Sequence, residues 1–146
     1  MVEPMTIAEI DGTDPAFVAA LADAGLPTDD LAEDGRRFFA FRGDGSDILG
    51  YGGVEGHSGI ALLRSLVVVR HRRGRGIGLR MVNWILDELR ACGGKEAYLL
   101  TTTATAFGTR CGFQRLDRDS APDPIRNSRQ MTALCPATAV LMGRLL

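Results

Sequence analysis

Cysteine is scarce in this chain, and its placement excludes two kinds of scaffold. Cys92, Cys111 and Cys135 are far apart, and none belongs to a Cys-x-x-Cys pair. His57 and His71 do not complete a metal-ligand spacing, so no metal site is expected. An odd number of scattered thiols argues against a disulfide framework and fits a reducing cytoplasm. No apolar run approaches the length of a membrane span. Met1-Val2-Glu3-Pro4 has neither a cationic nor an apolar region, so no signal peptide is expected. There is no internal repeat and no low-complexity tract. Net charge is −1, so no global field draws the chain to nucleic acid or to an anionic membrane. The basic block His71–Arg75 is short and has no aromatic stacking platform beside it, which disfavours a nucleic-acid partner.

What is present fits one globular domain spanning the 146 residues. Charge is unevenly spread. Residues 1–60 carry most of the acids and only Arg36, Arg37 and Arg42 as cations, whereas basic residues gather from Arg64 onward. Either the two signs pair across the surface, or a site has local cationic character.

In chain order, Met5–Ile10 reads as a strand. Asp14-Pro15 marks a helix start, Phe17, Val18, Leu21 and Ala24 form its apolar stripe, and Gly25 ends it. Leu26–Leu31 reads as a turn into a second short helix, acidic enough to be a lid or a solvated loop. Phe38–Arg42, Ile48–Glu55 and Ile60–Val69 read as three strands joined by the turns Gly43–Asp47 and Gly56–Gly59, hence an antiparallel meander. Leu79–Cys92 has helical spacing and is stopped by Gly93-Gly94. Ala97–Thr101 reads as a strand parallel to Ile60–Val69 across that helix. A short helix at Thr103–Cys111 and a strand at Phe113–Leu116 follow. Asp117–Arg129 is polar and reads as an exposed loop. Thr138–Leu146 is apolar and closes the sheet, and 131–137 has no clear pattern. Trp84 and Tyr98 read as core.

The most informative stretch is Ile60–Val69 followed by Arg70-His71-Arg72-Arg73-Gly74-Arg75-Gly76-Ile77-Gly78. A buried strand, a basic turn and a helix start stripped of side chains make an anion site, because free N–H groups and the helix dipole face the incoming charge. The glycine spacing is neither a dinucleotide fingerprint nor a P-loop. As Arg73-x-x-Gly76-x-Gly78, with this strand before it and this helix after it, it resembles the pyrophosphate loop of the GNAT acetyltransferases.

The resemblance covers most of the chain. It implies an α/β fold with a mixed sheet of about six or seven strands flanked by helices, splayed between the fourth and fifth strands. It implies acetyl-CoA as cofactor, with Arg73, Gly74, Arg75, Gly76, Ile77 and Gly78 around the diphosphate and the backbone of Leu66, Val67 and Val68 beside the pantetheine arm. Cys111-Gly112-Phe113 resembles the family's helix end. Within the superfamily the chain looks closest to a bacterial group named arsenic-resistance N-acetyltransferase-like, in Ala24-Gly25-Leu26-Pro27, in Leu62–Val68, in Leu99–Ala104 and in Leu134-Cys135-Pro136. Leu100-Thr101-Thr102 and the size also resemble short N-acetylglutamate synthases. The implied activity is acetyl transfer to an amine of a small molecule, including an amino acid or an amino-acid-like arsenic compound. A non-catalytic acyl-CoA-binding module is the alternative, because the tyrosine many relatives use to protonate the leaving thiolate would stand at Gly108. A thiolate leaving group needs little help, so that loss is not fatal to transfer. The resemblance also allows a homodimer through the C-terminal strand.

Candidate roles follow for five residues. Glu55, at the end of the third strand, is the candidate general base, or else an exposed strand-end acid; His57 is a competing base. Arg64 interrupts an apolar strand and needs a partner. That partner is either a substrate carboxylate or an internal acid such as Glu55. By simple alternation Arg64 shares a face with Leu62, Leu66 and Val68. Thr101 either bonds substrate or caps the next helix. Cys135 reads as an arsenic-binding thiol, a substrate-side group or, as is commoner for a lone cysteine before proline, a packed small apolar residue.

Overall fold

The computed structural model describes residues 4–57 and 59–146, with the His57 side chain outside that description. Its elements are β1 (Thr6–Ile10), α1 (Pro15–Asp23), β2 (Arg36–Arg42), β3 (Ile48–His57), β4 (Ile60–Val68), α2 (Ile77–Ala91), β5 (Glu96–Thr101), α3 (Thr105–Arg110), β6 (Gln114–Leu116), α4 (Asp123–Arg126) and β7 (Val140–Leu145). The N-terminal Met1-Val2-Glu3, Ser58 in the turn after β3 and the candidate base His57, as a side chain, lie outside the described residues.

One sheet of seven strands, ordered β1-β2-β3-β4-β5-β7-β6, carries the fold. β2, β3 and β4 form the expected antiparallel meander, and β1 pairs antiparallel to β2 at its edge. α2 then crosses over, and β5 pairs parallel to β4. β7 inserts between β5 and β6, antiparallel to both. Helices flank both faces. The α2 stripe Ile77, Met81, Val82, Ile85 and Leu86 packs on Phe39, Phe41, Val54 and Leu63. On the other face Phe17 and Leu21 of α1 pack on Phe38, Ala40 and Tyr51. Caps fix the helix ends. Asp14 Oδ1 accepts from Phe17 N at 3.1 Å, and Gly94 N donates to Leu89 O at 2.8 Å beyond the left-handed Gly93. Trp84 packs edge-on against Phe39 and Phe41.

Three expectations are corrected. First, 117–129 is not a loose loop. It holds a turn at Arg118–Ser120 and α4, and it buries Ala121 and Ile125 against Leu62, Tyr98 and Leu141. Two apolar residues four apart suffice to seat a polar segment on a bare sheet face. Second, no helix follows α1. The 26–31 segment ends with Asp30 and Leu31 buried, because side-chain ion pairs rather than backbone bonds hold it. Third, simple alternation fails in β4. Gly53 faces Arg64 and Tyr51 faces Val67, so Gly52 alone opposes Ser65 and Leu66. This is a β-bulge. Ser65 sits in the left-handed region at φ 57°. After the bulge Leu66 and Val68 join Leu63 on the α2 face, while Val67 turns to the α1 face. Gly52 makes this possible: a Cβ there would lie 2.9 Å from Leu66 Cδ2 and 3.0 Å from Ile85 Cδ1.

A β-branched side chain resists the left-handed region. Ser65→Val should therefore cost about 1–3 kcal/mol of stability, while Ser65→Gly stays within about 1 kcal/mol of the parent. Urea unfolding of the two variants checks this, and equal stability of both would contradict the bulge.

Candidate active site

β4 and β5 are paired only from Ile60–Leu63 to Glu96–Leu99. Beyond that register β4 runs on to Val68 and β5 to Thr101 without meeting. The gap between them is a cavity of about 430 Å³. Leu63, Arg64, Ser65 and Leu66 line one wall, and Leu99–Ala104 with Phe107 line the other. Leu26, Pro27, Gln130 and Cys135 close over it. A parallel pair that separates after the bulge leaves the β5-facing backbone of Leu66–Val68 without a strand partner, and a ligand can take that place.

At the end of β4 the chain turns through Arg70–Arg72 into the glycine loop. Arg73 Nε donates to Val68 O at 3.0 Å and pins the loop to the strand. Arg72 pairs with Asp47. Gly76 is the N-cap of α2 at φ 75°, with no side-chain cap. The first bond of the helix runs from Arg80 N to Gly76 O. The N–H groups of Ile77, Gly78 and Leu79 precede it, so no carbonyl of the helix can take them. Cβ atoms at Gly74 and Gly76 would meet nothing within 4 Å, so the loop faces open space. At Gly78 a Cβ would lie 3.2 Å from the Phe107 ring, so glycine lets α2 start hard against α3. An uncapped N-terminus of a 15-residue helix, open in front and flanked by the exposed Arg73 and Arg75, fits a diphosphate. The six loop residues singled out in the sequence lead into the start of α2, where Gly78 stands against Phe107 of the gap wall.

Beneath the gap lies a buried charge cluster. The Arg64 side chain is fully buried. Its Nη1 and Nη2 donate to the two oxygens of Asp30 at 2.5 and 2.6 Å, and Nη1 also donates to Glu55 Oε1 at 3.0 Å. Arg36 donates to Asp30 Oδ2 through Nε and Nη2, at 3.1 and 2.9 Å, and stands 3.6 Å from Glu55. Two acids and two guanidiniums thus neutralise one another. Burial alone would raise the Asp30 carboxyl, but the hydrogen bonds and charge of Arg64 and Arg36 outweigh it and hold it below the usual carboxylate value. Burial would lower the Arg64 value, and the bonds and charges of Asp30 and Glu55 reverse the sign.

Of the two readings of Arg64, the internal ion pair is present, with Glu55 as one partner and Asp30 as the stronger one. Each of its side-chain nitrogens is engaged, Nε with Ser65 Oγ at 3.4 Å. Glu55 does not line the main gap. It faces a smaller cleft of about 120 Å³ beside Asp34, Arg36 and Ile125. Thr101 Oγ1 accepts from Thr103 N at 3.3 Å and Ala104 N at 2.9 Å, the capping alternative, at the rim of the gap. At Gly108 a Cβ would lie 2.5 Å from Met142 Sδ, so β7 fills the space of the absent side chain. Sequence reasoning missed Asp30 and Gln130. The only pointer to Asp30 was the need of Arg64 for a partner, and the neighbouring Asp29 was an equal candidate. Nothing in the pattern around residue 130 singled out Gln130. Among the described residues no group of three or more His, Cys, Asp or Glu is placed to hold a metal, and no helix is long and apolar enough to cross a membrane.

The sequence model of the acetyltransferase (GNAT) family matches residues 7–113, a span that includes β1, the β4 bulge, the glycine loop and α3. The chain belongs to the GNAT acetyltransferase family. Members of this family are N-acetyltransferases that use acetyl-CoA as the acetyl donor. No curated protein matches the chain in sequence. Among solved structures, N-acetylglutamate synthase from Neisseria gonorrhoeae, with coenzyme A and N-acetyl-glutamate, aligns at TM-score 0.80 and 19% identity. The alignment covers 100% of this chain, which spans only 36% of that enzyme. Rv2747 from Mycobacterium tuberculosis, in complex with CoA, aligns at 0.75 and 16% identity, over 97% of this chain and 99% of that one. An aminoglycoside 6'-N-acetyltransferase complexed with coenzyme A aligns at 0.66 and 21% identity, over 96% of each chain. At these identities the likeness is one of fold.

Removing one partner of a buried ion pair strands the other charge. Asp30→Asn should therefore cost about 3–5 kcal/mol at neutral pH. Because the folded Asp30 value lies below its ordinary value of 3.8, its contribution is complete above that value and is lost as pH falls through the folded one. Urea unfolding at pH 7 and pH 3 should show the variant's deficit shrinking in acid; a deficit independent of pH contradicts the ionised pair.

Proposed function

We propose that this GNAT enzyme acetylates the amine of a small molecule, with amino acids as the acceptor class, in the gap between β4 and β5. One observation carries the reading. Phe107 lines the gap and stands 3.2 Å from where a Cβ of Gly78 would lie, so one ring separates the gap from the uncapped start of α2, and a long ligand anchored there by its diphosphate has the chamber under Leu26, Pro27 and Gln130 within reach. Acetyl-CoA supplies a thioester whose carbonyl carbon accepts the amine and whose sulfur leaves. The protein's own part is positioning, charge and one proton. Backbone N–H groups past the bulge, in Leu66–Val68, polarise the carbonyl oxygen. The chamber walls hold the amine in line. Glu55 takes the amine proton through a water in the small cleft, since its carboxylate does not reach the gap directly. Arg64 fixes Glu55 and the 24–35 segment. An acceptor carboxylate would meet its guanidinium only by displacing Asp30 or Glu55.

The likeness of fold to an N-acetylglutamate synthase supports amino acids as the class. An amino-acid-like arsenic compound belongs to the same class and rests on the resemblance in sequence to the arsenic-resistance group. A cytoplasmic location and a homodimer are part of the same proposal. Gly108, filled by Met142, favours a second reading as a non-catalytic acyl-CoA binder.

Free-thiol release from acetyl-CoA with a panel of amines and amino acids separates the two. Release with at least one acceptor is expected. Saturable acetyl-CoA binding without release from any acceptor would establish the second reading instead. With the best acceptor, Glu55→Gln should lower turnover at neutral pH by about 10²-fold or more while leaving calorimetric acetyl-CoA affinity unchanged. Unchanged turnover refutes the role of Glu55.

A further inference from the structure

Part of the cover over the chamber comes from Gln130, Leu134, Cys135 and Pro136, to which the chemistry above gives no role. Gln130 opens a π-helical turn, Gln130–Leu134, an irregularity that recurs at functional positions. Its side chain lines the chamber and is 6% exposed. A primary amide brings one acceptor oxygen and two donor hydrogens. The oxygen is used: Cys135 Sγ donates to Gln130 Oε1 at 3.1 Å, and Cys135 N donates to Gln130 O at 2.8 Å, closing the turn. Nε2 donates to no acceptor among the described residues. None of their buried side-chain nitrogens or oxygens is both sealed and unpartnered, so Nε2 keeps some exposure, on a residue that lines the chamber.

The orientation has a chemical cause. Burial pushes the Cys135 thiol up, so it stays neutral at pH 7. A neutral thiol is a donor and only a weak acceptor, so the amide oxygen faces it and the NH₂ faces away.

We propose that Gln130 reads the acceptor: its NH₂ donates to an oxygen carried by the amine substrate, a carboxylate or carbonyl, and Cys135 is the positioning residue that holds the amide in that orientation. This rests on the chamber being the acceptor site of acetyl transfer. The rest of the lining agrees. Ser65, Thr101, Thr102 and Thr103 bring hydroxyls, and no Asp or Glu faces the chamber. Asp30 and Glu55 already neutralise Arg64. Nothing in the chamber balances a second ammonium, so multiply cationic amines are refused and oxygen-bearing monoamines are taken.

The test is steady-state thiol release with the standard amino acids and with the diamine putrescine. The wild type should use at least one amino acid and discriminate against putrescine. Gln130→Ala should raise the amino-acid KM about tenfold or more, with kcat within a few-fold and the acetyl-CoA KM unchanged. Gln130→Glu, nearly isosteric, should shift the ratio of amino-acid to putrescine kcat/KM at least tenfold toward putrescine. Cys135→Ser keeps a donor and should preserve the amino-acid KM, whereas Cys135→Val should raise it as Gln130→Ala does. A wild-type KM in both Gln130 variants, or a wild-type preference for putrescine, overturns the inference and leaves acetyl transfer standing. Identical behaviour of the two Cys135 variants overturns the positioning role. An absence of thiol release with every amine offered overturns both this inference and acetyl transfer.

Discussion

A buried guanidinium has to be answered, and the answer organises this molecule. Arg64 stands on β4 one residue before the bulge, with its side chain wholly inside. Asp30 reaches it from the segment after α1, Glu55 from β3, and Arg36 on β2 completes the neutral set. A cluster of this kind contributes little net stability against an apolar alternative, but removing any member is expensive. Its structural consequence is specificity. It holds a segment without helix or strand over the place where β4 leaves β5, and the acceptor end of the chamber depends on that segment.

The two ends of the gap use different physics. At the mouth, backbone geometry does the work: left-handed glycines, an uncapped helix and a close approach at Gly78. Such a site binds charge without needing a particular side chain. At the inner end, side chains dominate: the fork of Arg64 on Asp30, the thiol of Cys135 on Gln130 and the hydroxyl of Thr101 on the turn before α3. Their partners are far apart in sequence or sit in irregular turns. In the function proposed above, the mouth holds the diphosphate and the inner end chooses the acceptor.

This difference also explains what could be read from the sequence. The meander, the crossover through α2 and the glycine loop were legible because apolar periodicity and helix-end chemistry are local signals. The bulge was not, since Ser65 carries no mark of its left-handed conformation and the matching gap at Gly52 lies on another strand. The need of Arg64 for a partner was legible, and so was Glu55 as one of them, but the stronger partner, Asp30, was not, because it is 34 residues away. The 117–129 segment was misread because two buried side chains, Ala121 and Ile125, are hidden among polar neighbours. Gln130 had no local signal at all, because a π-helical turn follows no periodic pattern.

Central to the proposed function is the placement of acetyl-CoA in the gap, with its diphosphate at the start of α2. Hydrogen–deuterium exchange of the whole protein, with and without saturating acetyl-CoA, tests that directly. Binding should slow exchange of the amides of Leu66–Val68 and of Ile77–Leu79, while β1 and β2 exchange as before. Saturable binding that protects neither stretch would contradict it.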